Sequence, residues 1–188
     1  MSDITEVNYG PLTELIGVWN GDKGMDIAPE PDGTEENPYY ETITYTASGN
    51  VTNAGSQILS IVHYRQIVTR RSNDEVFHDE TGYWLWDPKE RVIMHSLVIP
   101  RAVCLLAGAY YEEARDANGS LIIEVVAGIE NKDWGIVQSP FMQKNARTTD
   151  FHQKIIVGNG KMSYTETTML DIYGRVFEHT DQNELRRE

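Results

Sequence analysis

One cysteine, Cys104, stands in a chain of 188 residues, so no disulfide can form within it. That composition suits a reducing compartment, and the expected location is cytoplasmic. No apolar run reaches the roughly 20 residues that a helix needs to cross a bilayer. The opening residues 1–6 are acidic and lack an apolar stretch, so no secretory signal is expected there. Basic residues are scarce, with 16 Lys and Arg against 29 Asp and Glu and a net charge of −13. A surface of that sign repels nucleic acids and anionic membranes, and neither is expected as a partner.

Catalytic signatures are equally sparse. There is no Gly-x-Ser-x-Gly elbow, no phosphate-cradling Gly-x-x-x-x-Gly-Lys loop and no His-Glu-x-x-His or Cys-x-x-Cys metal pattern. Cys104 lies in the apolar stretch Val103-Cys104-Leu105-Leu106, which reads as a buried, inert thiol rather than a nucleophile.

What the chain does hold is strand material. Ten tyrosines and four tryptophans accompany runs rich in Ile, Val and Thr. Turn signals such as Gly49-Asn50, Asp87-Pro88, Asn118-Gly119 and Gly158-Asn159-Gly160 recur between them. The pattern predicts strands near 17–25, 40–47, 57–69, 75–86, 91–99, 102–113, 120–130, 147–157, 161–170 and 174–179. Short gaps imply antiparallel hairpins. The reading is one all-β domain over 1–188: a ten-stranded, antiparallel up-and-down β-barrel of the lipocalin or fatty-acid-binding type, with a sandwich as the alternative. Residues 120–127 form a nearly continuous apolar run, expected of a strand covered on both faces. Pro11 to Ile16 predicts a short helical turn that plugs one barrel end. Residues 28–38 read as an acidic, proline-containing loop. Residues 131–146 read as a loop with Trp134, Pro140, Phe141 and Met142, either a lid or a segment packed on the wall.

Five histidines carry the remaining chemistry. His63 and His95 sit in apolar strands and read as partly buried and hydrogen-bonded. His152 reads as exposed. His78 lies beside two carboxylates in Phe77-His78-Asp79-Glu80-Thr81-Gly82-Tyr83-Trp84. His179 ends the last predicted strand, where a neutral imidazole can ligate a metal and Asp181 or Glu178 can orient its other nitrogen. Strand parity adds a constraint. If His78 points inward, Glu80 and Trp84 do too, and an unpaired Glu80 is costly. A bulge at Gly82, a pairing of Glu80 with Arg65, or an outward His78 would each remove that cost.

Three segments together resemble the nitrobindin family, haem-binding β-barrels that are similar to fatty-acid-binding proteins and include the C-terminal domain of THAP4. They are Gly17-Val18-Trp19-Asn20-Gly21, then His78-Asp79-Glu80-Thr81-Gly82-Tyr83, then Gly160-Lys161-Met162-Ser163-Tyr164 followed by His179. The resemblance implies haem b at the open end, with His179 in the place of the proximal iron ligand and His78 on the distal side. It also implies nitric oxide binding and peroxynitrite isomerisation at ferric iron, with iron as Lewis acid. The alternative is a carrier or sensor of a fatty acid or other apolar small molecule without haem, with Tyr64 and Arg65 as candidates to hold a carboxylate head group. Either reading makes a small molecule in the barrel the partner and leaves a homodimer open.

Overall fold

The computed structural model describes residues 7–188. Ten long strands make up the wall: β1 (Gly17–Glu30), β2 (Gly33–Ala54), β3 (Gln57–Arg70), β4 (Val76–Asp87), β5 (Val92–Ile99), β6 (Val103–Tyr110), β8 (Leu121–Gly128), β10 (Ala146–Gly158), β11 (Lys161–Ile172) and β12 (Arg175–Arg187). Two short strands, β7 (Ala114–Arg115) and β9 (Ile136–Gln138), and one short helix, α1 (Pro140–Asn145), complete the set. Each long strand pairs antiparallel with the next, and β12 returns to pair with β1. The ring closes between β6 and β8 through one rung, Gly108 opposite Val126. Beyond that rung the two strands splay. β9 fills the gap along Val103–Leu105, and β7 pairs with Leu121 and Ile122.

Period-two alternation places the core inside this ring. In β8, Leu121, Ile123, Val125 and Ala127 are buried, whereas Glu124 and Val126 are exposed. The apolar run 120–127 is therefore covered on its inner face only, because a barrel wall has one dry side. One end is filled as expected. A 3-10 helix over Gly10–Glu14 carries fully buried Leu12, with fully buried Leu15 after it, and Trp19 Nε1 donates to the Leu15 carbonyl at 2.6 Å. Gly10 has φ +52, and a Cβ there would lie 2.3 Å from Trp86 Nε1, so only glycine fits under that indole.

Three predicted boundaries move. Residues 28–38 are not a loop but the tip of the β1–β2 hairpin, which turns at Glu30-Pro31-Asp32-Gly33 with proline second and glycine fourth. The last strand runs on from His179 to Arg187, pairing with both β11 and β1. Within 131–146, β9 and α1 are formed. Ser139 caps α1, and Met142 packs on Val103 and Ala146. Among the described residues no helix is long and apolar enough to cross a membrane.

Candidate ligand-binding site

Opposite the plug, the barrel encloses a cavity of about 410 Å³. Its apolar wall includes Val68, Phe77, Leu97, Ile99, Leu105 and Phe151, and α1 adds Met142. Arg70 and Arg101 also line it. The Arg70 guanidinium lies 4.6 Å over the Phe77 ring, and its Nε donates to Asn37 Oδ1. Both candidate histidines face this cavity: His78 from the start of β4 and His179 from β12.

His179 is held by carboxylates. Its Nε2 lies 2.6 Å from Asp26 Oδ1 and 3.5 Å from Asp181 Oδ2. A carboxylate only accepts, so Nε2 carries the proton in the Asp26 bond and Nδ1 is left as the lone-pair nitrogen of the neutral ring. Asn37 Nδ2 donates to the other Asp26 oxygen at 3.0 Å. Burial disfavours the charged imidazole, but the Asp26 bond and the charges of Asp181 and Asp26 outweigh it and raise the His179 pKa. Burial in turn pushes Asp181 up to about 6. Of the two orienting candidates, Asp181 lies near the ring and Glu178 points outward. Asp26 makes the closest contact and was not anticipated. It falls just beyond the predicted end of the first strand.

Parity is kept along β4. His78, Glu80, Gly82 and Trp84 all face inward. Glu80, 3% exposed, escapes the cost of isolation through two partners: Tyr64 donates to Oε1 at 2.5 Å, and His78 Nε2 lies 3.3 Å from Oε2. Burial raises the Glu80 pKa, but the His78 bond and charge outweigh it and hold the group below the ordinary range. For His78, burial lowers and Glu80 raises, with the net shift upward. Gly82 marks close packing, not a bulge: a Cβ there would meet the Ser96 carbonyl oxygen at 1.9 Å. Arg65 does not reach Glu80. It sits outside, paired with Asp79 at 2.7 Å, which also removes it as the holder of an internal carboxylate.

Further polar groups line the interior. Glu41 accepts from Tyr164, Asn183 and Gln66, and burial pushes it up to about 7 despite those bonds. Glu166 accepts from Gln153 at 2.8 Å, and burial followed by the charges of Glu80, Asp181 and Glu41 raises it well above the carboxylate range. His95 departs from its expected setting. It is 1% exposed, stacked on Trp84 at 4.1 Å, and neither ring nitrogen has a hydrogen-bond partner among the described residues. Burial lowers its pKa to about 4. His63 lies outside against Thr81 and Tyr83, and His152 pairs outside with Glu124. Cys104 is half-buried on the outer face, between inward-facing Val103 and Leu105.

A barrel stoppered at one end, with an apolar cavity at the other and two inward histidines, defines an intracavity ligand-binding β-barrel. The chain belongs to the THAP4-like, heme-binding beta-barrel domain family, whose model matches residues 8–187. Among solved structures it is similar to "Rv2717c from M. tuberculosis", with a TM-score of 0.70 at 17% identity over 97% of this chain and 99% of that one; this likeness supports the fold alone. A search of curated proteins returns no match.

Proposed function

We propose that the cavity binds haem b, which His179 would hold through its iron, with His78 lining the same cavity. The observation that carries this reading is the His179–Asp26 contact. A histidine that ligates a metal typically gives its second nitrogen to a carboxylate, which fixes the tautomer and raises ligand basicity. Asp26 does this at Nε2, and Asn37 steadies Asp26. The rest of the cavity fits the group. Phe77, Leu97, Ile99 and Phe151 suit the macrocycle, and Arg70 and Arg101 suit its carboxylate arms.

When bound, haem would supply iron for nitric oxide binding and, in the ferric state, Lewis acidity for peroxynitrite isomerisation. The chain's own residues close one end of the barrel and hold a proton. Glu80 keeps a proton on His78 Nε2, and Tyr64 fixes Glu80 from behind. Glu80 also raises the His78 pKa, and in the doubly protonated ring Nδ1 is a second donor, available to an anionic small molecule.

A haemin titration of wild type and His179→Ala, followed by absorbance, tests the reading. The expected result is a saturable one-to-one Soret shift in the wild type that the substitution abolishes. Absence of specific binding by the wild type overturns it.

A further inference from the structure

Antiparallel register puts an unusual row across the inner wall. Asn37 lies opposite Asp26, Asp26 opposite Asp181, Asp181 opposite Glu166, and Glu166 opposite Gln153. Three carboxylates thus occupy neighbouring positions on three adjacent strands, all facing the cavity. Like charges directly opposite one another in a sheet repel. Asp181 accepts no hydrogen bond from any described residue, and its closest basic contact is His179 at 3.5 Å. At the end of the row, the buried Gln153 gives its Nε2 to Glu166 while its Oε1 has no partner. Asp181 therefore has free acceptor capacity beside Asp26 and His179.

One part of it has the geometry of a metal site. An imidazole nitrogen of His179 and one oxygen each from Asp26 and Asp181 lie within 4.8 Å of one another. The geometry points to a binding site for one divalent transition-metal ion at Asp26, His179 and Asp181, opening onto the cavity. Two carboxylates and a neutral imidazole balance a 2+ charge. Mixed nitrogen and oxygen donors favour ions such as zinc, cobalt or manganese over calcium. Three protein ligands leave positions for water or a small ligand. Asn37 orients the non-ligating Asp26 oxygen.

This site goes beyond the haem reading and excludes simultaneous occupancy. A cation at Nε2 displaces the proton that Asp26 accepts and moves it to Nδ1, the nitrogen left free in the haem reading. Haem and the ion therefore require opposite tautomers of one ring.

The test is titration of the metal-free protein with Co²⁺, read by its visible d–d absorption, and with Zn²⁺ by calorimetry. Wild type, Asp181→Asn, His179→Ala and Glu178→Gln are compared, with folding checked by circular dichroism. Glu178 is exposed on the same strand, so its substitution removes one charge outside the barrel. The expected result is one equivalent bound by wild type and Glu178→Gln, and at least roughly tenfold weaker binding by Asp181→Asn and His179→Ala. Haemin binding by Asp181→Asn persists, and haemin displaces Co²⁺ from the wild type. No stoichiometric binding by wild type, or equal binding by Asp181→Asn, overturns the site. Either outcome leaves the haemin result independent: loss of haemin binding in His179→Ala with no metal bound refutes only the ion. Metal binding without haemin binding refutes only haem.

Discussion

Tyr64 donates its hydroxyl proton to Glu80 at 2.5 Å across the β3–β4 pair, deep inside the barrel. This bond makes an inward glutamate tolerable on a strand whose inward positions also include Gly82, Trp84 and Trp86. Tyr64→Phe leaves Glu80 with His78 alone. It is expected to destabilise the fold by about 1–3 kcal/mol, the cost of stranding a buried acceptor. Urea unfolding measures this. In Tyr64→Phe/Glu80→Gln the two effects should be non-additive by at least about 0.5 kcal/mol; simple additivity would mean that the bond contributes nothing.

Two buried groups pull stability in opposite directions with pH. His95 has a folded pKa near 4, below its ordinary value. Its contribution is complete above about pH 6.5 and is lost as pH falls toward 4, to a total of about 3 kcal/mol. Glu41 has a folded pKa near 7, above its ordinary value. Its contribution is complete below about pH 4.5 and is lost as pH rises through 7. Between pH 4.5 and 6.5 the two slopes offset. His95→Leu is expected to leave a stability that falls with rising pH relative to wild type. Glu41→Gln is expected to leave one that rises. Denaturation midpoints at pH 5 and pH 8 check both signs.

Gly82→Ala brings a methyl group against the Ser96 backbone, which no rotamer change relieves. The expected loss is about 3 kcal/mol or more, at the upper end for overpacking. A thermal midpoint within a degree or two of wild type would show that β4 and β5 can separate at no cost.

Arg70 offers a charge to a carboxylate-bearing ligand, whereas His179 offers a lone pair. Arg70→Ala is therefore expected to speed haem loss by roughly tenfold, with the effect shrinking at high salt. The Soret position should not move. Transfer of haem to an acceptor protein gives the rate, and a shifted Soret band would instead place Arg70 in contact with the iron's surroundings.

The apolar strands were legible because period-two alternation marks one dry face. His78, Glu80 and Trp84 share that face as parity required. Alternation failed where the inner face is itself polar. Asp26, Asn37, Asp181 and Asn183 point inward, so the β1–β2 tip and the second half of β12 look hydrophilic on both sides and read as loop or tail. The same disguise hid Asp26 from the candidate site. His179 was legible by its place at the end of a predicted strand, but its partner lies on β1, more than 150 residues away, in a register that only the closed ring defines. His95 was misread because an apolar neighbourhood in sequence does not reveal whether a donor or acceptor stands above the ring.

Leu12, Leu15 and Trp86 make the barrel a cup rather than a tube. Whatever reaches the cavity arrives and departs through the same doorway, between the β1–β2 tip, Arg70, Arg101 and the short helix with Met142. Among the described residues, the plugged end leaves no second opening through which one molecule could leave while another enters. Exchange of a bound molecule is therefore one guest at a time, and its tempo belongs to the rim.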